Sequence, residues 1–384
     1  MNILFAIYRY PGFGGIERVT KMLSEEFCKR MGYDVTVFSM SRQVIPSQIL
    51  DLPNWHYITT DLIGTDLIRY FQKVVRERHI DVIIYQDSYA PCEYIFDGIE
   101  KSNIKIIVCE HSVPNALEQG LTFAVKNTPI VSLKGVCRRI LYPYSYFRIH
   151  RKAKLHHRKL FKLSDKYILL SDTFKPIIRR EYEISGVKLI SIPNPIDDRI
   201  FDTNELNLKE KIVLFVGRLT PSKGVDYLLD VWHLVTKTNL DWKLIVVGDG
   251  TERDYMERRI YAEQIPNIEL VGEREDVTPY YQKASVLFMT SVYEGFGLVL
   301  VEAQRYGVVP FAFNSYPSVH DIITDGENGF LIDSFNTKMY ARVFNSFVQS
   351  ENKTNIANKA LVSSGKFRKE YICNIWRELL KNIG

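Results

Sequence analysis

The chain has no run of about 18 apolar residues, so nothing in it reads as a membrane-spanning helix. Its first residues, Met1-Asn2-Ile3-Leu4-Phe5-Ala6-Ile7-Tyr8-Arg9, lack a basic leader, and the apolar run is too short for a secretory signal. Cysteine is scarce and odd in number: Cys28, Cys92, Cys109, Cys137 and Cys373, none at a zinc-ligand or C-x-x-C spacing. That pattern argues against a disulfide framework and fits free thiols in a reducing cytoplasm. Neither sign of charge dominates, and a net charge of +5 is too mild to imply nucleic acid. Internal repeats and low-complexity tracts are missing. Acidic residues vanish in one place, between Glu118 and Asp165.

What remains is an ordinary globular composition, 46% hydrophobic and 25% charged, with enough apolar residues for a sizeable core. At about 100–200 residues per domain the chain has room for two or three domains. Residues 3–8 form a continuous apolar run, the mark of a strand covered on both faces. A loop with Gly12, Gly14 and Gly15 follows, then Val19, Met22, Leu23 and Phe27 at helical spacing. Further strands are expected at 34–39, 82–85, 104–109, 167–171 and 189–192. Pro193-Asn194-Pro195 interrupts this rhythm and suits a linker. The rhythm restarts with strands expected at 212–216, 243–247, 268–271, 286–289, 309–313 and 330–332, and a helix from Val225 to about Thr236. Strands alternating with helices predict an α/β fold with two parallel, doubly wound sheets. The expected domains are 1–195 and 196–365. An amphipathic tail, 366–384, carries Phe367, Tyr371, Ile375, Trp376 and Leu379 near one stripe and is expected to cross back to the first domain.

Chemistry concentrates in residues 291–307. An apolar strand leads into a loop with Gly295 and Gly297, and a helix is expected from about Leu298 to Arg305. Helix starts present unpaired N–H groups and bind phosphate, and glycine lets the backbone come close to the anion. Glu294 and Glu302 flank this start. Carboxylates would repel phosphate itself, so they fit hydroxyls on either side of a diphosphate, a ribose on one side and a sugar on the other. Arg218 and Lys223, just after another strand, supply the balancing positive charge where open α/β sheets bind ligands. No aspartate pair reads as a metal site; Asp197-Asp198 reads as hinge polar residues.

Taken together, these residues resemble the retaining family-four glycosyltransferases of the GT-B fold, of the bacterial surface-polysaccharide type. The E-x7-E motif is Glu294 to Glu302, and the V-G-R-L…K-G motif is Val216-Gly217-Arg218-Leu219 with Lys223-Gly224. The G-G-x-E loop is Gly14-Gly15-Ile16-Glu17. Smaller matches are Asn194-Pro195-Ile196-Asp197, Gly248-Asp249-Gly250 and Asp325-Gly326-Glu327-Asn328-Gly329-Phe330, in the family's order along nearly the whole chain.

The resemblance implies two Rossmann-like domains facing across a cleft, the first holding the acceptor and the second the donor nucleotide. Glu302 is implied to bind ribose hydroxyls and Glu294 the donor sugar. The backbone of Gly295, Phe296, Gly297 and Leu298 is implied to contact sugar and phosphate. Arg218 and Lys223 are implied to stabilise the departing diphosphate. Gly15 is implied to let the first domain approach it, His111 to be the active-site histidine, and the segment with Arg274 and Val277 to meet the base. No cofactor or metal is implied; the nucleotide sugar, expected to be a UDP-sugar, is a substrate. The acceptor is expected to be a saccharide or a lipid-linked one, and nucleic acid is not an expected partner.

The acid-free stretch holds Lys126, Lys134, Arg138, Arg139, Arg148, Arg151, Lys152, Lys154, Arg158, Lys159 and Lys162, interleaved with Tyr142, Tyr144, Tyr146 and Phe147. Cations mixed with amphipathic aromatics suit an anionic membrane surface, at about 1 kcal/mol for each basic residue. Peripheral attachment to the inner face of the membrane through about residues 120–162 is therefore expected. The same charges suit a lipid-linked diphosphate. Rival readings are a GT-B-like epimerase or hydrolase of nucleotide sugars and a non-catalytic sugar-nucleotide-binding protein. A nicotinamide oxidoreductase is disfavoured, because Gly12-x-Gly14 and Gly248-x-Gly250 both lack the third glycine of G-x-G-x-x-G, with Glu17 and Arg253 in its place.

Overall fold

The computed structural model describes residues 1–41, 49–87, 93–99, 104–126, 128, 132–197, 206 and 208–383. Cys92, Asp198 and the Lys134 side chain lie outside the described residues. The chain divides into two compact units: Met1–Asp197 with Lys369–Gly384, and Asp198–Arg368.

The first unit is built on a sheet of seven strands, β1 (Asn2–Ile7), β2 (Asp34–Ser39), β3 (Trp55–Thr59), β4 (Val82–Asp87), β5 (Lys105–Glu110), β6 (Lys166–Leu169) and β7 (Leu189–Ser191). Their order is β3-β2-β1-β4-β5-β6-β7, and every pair is parallel. Parallel sheets need helices on both faces, and the central strands are accordingly apolar throughout: Ile3, Leu4, Phe5 and Ala6 are fully buried. β3 was not expected. It is an edge strand, half-buried after Trp55, so it shows no long apolar run.

The tail helix is Lys369–Ile383. It packs on the first unit, with Trp376 edge-on to Phe27 at 5.9 Å and the Lys369 N–H donating to Ile196 O at 2.9 Å. Its buried face is Ile372, Cys373, Trp376, Leu380 and Ile383 rather than the expected stripe; Tyr371 is exposed. Phe367 belongs to the second unit, edge-on to Phe296 at 5.3 Å.

The second unit carries six strands, β8 (Glu210–Val216), β9 (Lys243–Val247), β10 (Ile268–Gly272), β11 (Ala284–Met289), β12 (Val309–Phe313) and β13 (Phe330–Ile332). Their order, β10-β9-β8-β11-β12-β13, is again parallel throughout. Its core gathers Trp232, Phe288, Phe311, Tyr340 and Phe344 around the central strands. The chain winds one way from β8 to β10 and the other way from β11 to β13. The switch point, where open α/β sheets bind ligands at their carboxyl edge, lies between β8 and β11.

Candidate active site

The loops that follow β8 and β11 meet at this switch point. Lys223 ends a single 3-10 turn, Pro221–Lys223, and Gly224 starts the helix Val225–Val235 at φ 65°, a left-handed conformation that favours glycine. The loops are joined tightly there: a Cβ on Gly224 would lie 2.0 Å from Thr290 O. Thr290 Oγ1 donates to Lys223 O at 3.0 Å and the Val292 N–H to Ser222 O at 2.8 Å. The loop after β9 is joined too, through Leu219 N–H to Asp249 O at 2.8 Å. Gly248-Asp249-Gly250 thus helps to fix the loop that carries Arg218.

This joining brings Lys223 against Glu294 in an ion pair, with Lys223 28% and Glu294 13% exposed. The Ser291 hydroxyl donates to the same carboxylate at 2.7 Å. Tyr293 and Tyr316 stand close enough that burial first, and the Glu294 charge second, push their phenols above the usual range. The Tyr316 hydroxyl donates to Met289 Sδ at 3.4 Å. Arg218 is exposed and has no ion pair among the described residues.

The loop after β11 then turns into the helix Leu298–Arg305. Gly297 caps it at φ 88°, and a Cβ there would meet Tyr316 Oη at 3.0 Å. The N–H groups of Phe296, Gly297 and Leu298 take no protein acceptor among the described residues, as expected of a helix start. The Phe296 ring is buried against Phe367, and Gly295 O accepts from the Ser318 hydroxyl at 3.2 Å. Glu302 lies in the body of this helix and is only 7% exposed. Its Oε2 accepts from the Tyr281 hydroxyl at 3.0 Å, and Tyr281 is stacked on Tyr306 at 5.5 Å. The next residue but one, Gln304, donates from Nε2 to Ile322 O and Asn328 O, both at 3.2 Å. The Asp325–Phe330 motif therefore steadies this helix from behind.

Arg274 and Val277 follow β10, two strands from β8. Arg274 is exposed and its guanidinium donates to Glu273 O at 2.9 Å; Val277 is half-buried and precedes the helix Thr278–Lys283.

In the first unit, Gly15 opens the helix Gly15–Lys29 after the loop that follows β1. It is exposed, and a Cβ on it would meet nothing within 4 Å. The Glu17 carboxylate folds back over Gly12 and Gly14, where a Cβ would come within 2.9 and 2.3 Å of its oxygens. His111 follows β5 and is half-buried, its Nε2 bonded to Gln86 Oε1 at the end of β4. Beneath it lies a buried polar network. Glu110 accepts the Ser112 N–H at 3.1 Å and lies 3.5 Å from His157 Nδ1. His157 Nε2 is 3.0 Å from Pro114 O, which only accepts, so that nitrogen carries the proton.

His157 comes from a helix of 31 residues, Leu133–Leu163, that runs through Pro143. The basic stretch from Lys134 to Lys162 forms this helix, while Lys126 ends the helix Ala116–Lys126, and several of the cations are engaged locally. Arg138 and Arg139 donate to Thr128, to Oγ1 at 2.7 Å and to the carbonyl at 3.0 Å. Lys154 and Arg158 pair with Glu183, and Lys159 lies 3.5 Å from Asp97. Arg148 lies over the Tyr144 ring, while Arg151 and Lys152 are exposed. Among the cations of this helix, Arg148, Arg151 and Lys152 are exposed with no ion pair among the described residues.

Sequence reasoning missed Tyr281 and Gln86, and gave Ser291, at the start of the segment 291–307, no role of its own. Tyr280-Tyr281 gives no sign of which ring reaches Glu302, and only the sheet register puts Gln86 beside Cys109 and so near His111.

Two parallel, doubly wound α/β units, the second with cations and carboxylates at its switch point, form the architecture of the GT-B glycosyltransferases. Comparison with known proteins agrees. The pattern of Glycosyltransferase Family 4 matches residues 13–199, and that of Glycosyl transferases group 1 matches residues 197–361. An uncharacterized glycosyltransferase of Haemophilus influenzae is 30% identical over 99% of both chains. An alpha-1,4-N-acetyl-D-galactosaminyltransferase of Campylobacter jejuni is 28% identical over 52% of this chain and 56% of its own. The crystal structure of Anabaena HepE in complex with UDP and glucose has the same fold, with a TM-score of 0.74 at 18% identity over 99% of both chains. The chain belongs to the family-four glycosyltransferases.

Proposed function

We propose that the enzyme moves a hexose from a UDP-sugar, with retention, to a saccharide or lipid-linked acceptor in cell-surface polysaccharide synthesis. The observation that carries this reading is the joined pair of loops after β8 and β11. They place Lys223, Glu294 and a free helix start together at the switch point. In this reading the diphosphate lies against the N–H groups of Phe296, Gly297 and Leu298, with Gly295 leaving room for it. Arg218 and Lys223 meet the charge that develops on the leaving phosphate, where a metal ion would otherwise act. Glu294, held by Lys223 and Ser291, accepts from hydroxyls of the donor sugar. Glu302, held by Tyr281, accepts from the ribose, and the backbone near Arg274 and Val277 meets the base.

The first unit supplies acceptor binding; its Gly15 gives the open backbone expected to approach the diphosphate, and its His111, the expected active-site histidine, is held by Gln86. Retention fits an acceptor attacking from the leaving-group face, its proton passing to the departing phosphate oxygen. The Campylobacter relative's name gives a diphospho-undecaprenol-linked saccharide as its acceptor. A lipid acceptor suits peripheral attachment of the enzyme to the anionic inner face of the membrane, through the cations of residues 120–162. No helix among the described residues is long and apolar enough to cross a membrane.

A thermal-shift screen of nucleotide sugars tests the donor. UDP-sugars at about 100 times Kd are expected to stabilise the chain by about 2.7 kcal/mol, which shows as a raised Tm. A shift with guanosine or thymidine donors and none with UDP-sugars contradicts the choice of base.

A further inference from the structure

The helix Leu133–Leu163 is about 46 Å long, and its two faces and two halves differ. One face is fixed to its unit: Ala153, His157 and Leu160 are buried, and His150 Nδ1 bonds Glu118 Oε1 at 3.2 Å. The opposite face changes character along its length. In the first half it shows Val136, Cys137, Ile140, Leu141, Tyr144 and Phe147, with Ile140 72%, Leu141 55%, Tyr144 62% and Phe147 63% exposed. Large apolar side chains this exposed are ordinary when scattered, but these are contiguous at i, i+4 and i+7 spacing. In the second half the same face turns mostly basic, with Arg148, Arg151 and Lys152 around one exposed apolar side chain, Leu155.

We infer that the first half of this helix inserts its apolar face into the acyl boundary of an anionic bilayer, with Arg148, Arg151 and Lys152 at the lipid phosphates. This rests on the membrane attachment proposed above and goes further, from surface attraction to insertion. The charge pattern selects the occupant. No acidic residue lies between Glu118 and Asp165, so a second copy laid on this face meets like charge, whereas anionic head groups meet opposite charge. An apolar stripe bordered by cations is the pattern of helices that lie in the interface plane, about 5–10 Å deep.

The test uses the full chain with vesicles of phosphatidylglycerol and phosphatidylethanolamine, sedimented at low and high salt. A polarity-sensitive dye is attached at Cys137, which is exposed on this face, with Cys92 replaced by Ser to keep the label unique. Binding that partly survives high salt, with a blue-shifted dye, is expected. Ile140→Glu with Phe147→Glu is expected to lower partitioning by about tenfold or more, with the thermal shift from donor unchanged. Binding fully reversed by salt and indifferent to both substitutions leaves attachment standing and overturns insertion. No binding to any vesicle overturns both. A dimer in solution that Ile140→Glu dissociates assigns the face to a second copy and also overturns insertion.

Discussion

Replacing Glu302 with Ala is expected to lower kcat/KM for the donor by about 10³-fold while leaving the fold intact. The ribose offers hydroxyl donors to this carboxylate, and a hydrogen bond to a charged group contributes about 1.5–3 kcal/mol. Two such bonds amount to about 10²–10⁴-fold in binding. The fold survives because opposing terms nearly balance. The substitution removes the acceptor that Tyr281 uses, at a cost of about 1–3 kcal/mol. It also relieves the desolvation of a carboxylate that is only 7% exposed and puts the best helix former into Leu298–Arg305. Glu302→Gln separates the terms: it keeps the shape and a carbonyl for Tyr281 but loses the charge. Steady-state kinetics and a melting curve on both variants check this. Near-normal transfer by a folded Ala variant contradicts the assignment.

Lys223→Ala and Arg218→Ala are both expected to lower kcat by about 10²–10³-fold, the usual loss when a donor aimed at developing negative charge is removed. Their effects on stability differ. Lys223 neutralises Glu294, which is 13% exposed, so its loss leaves a mostly buried carboxylate without that partner. Solvent reaches the pair, which limits the cost to about 1–2 kcal/mol. Arg218 is exposed, so its removal is expected to leave Tm unchanged. Lys223→Arg keeps the charge and should recover most of the stability but only part of kcat, because the fork geometry differs. Equal melting temperatures for the two Ala variants contradict the geometry described for Lys223.

Much of this was legible in the chain itself. Twelve of the thirteen strands among the described residues fall where apolar runs stand between turn residues, because buried parallel strands must be apolar on both faces. β3 escaped because an edge strand buries only part of itself. The long helix escaped because Pro143 reads locally as a stop, whereas packing on the opposite face carries the helix through it. In the site, the E-x7-E spacing and the glycines marked both carboxylates. Their partners did not show: Lys223 is 71 residues from Glu294, and Tyr281 is 21 from Glu302. Such pairings come from strand order, which no local pattern encodes. The buried face of the tail helix lies one position on from the sequence stripe, since Tyr371 and Ile375 are apolar enough to suggest a face that Ile372 and Cys373 occupy.

The central claim is that the switch point of the second unit binds a nucleotide sugar for transfer to an acceptor. The direct measurement is nucleotide release from UDP-sugars with and without saccharide or lipid-linked acceptors, with the product's anomeric configuration read by NMR. Release that depends on acceptor, gives a product with the donor's anomeric configuration, and is lost in Glu302→Ala is the predicted result. Equal release with and without acceptor, yielding free sugar, would show a hydrolase or epimerase instead and contradict the account.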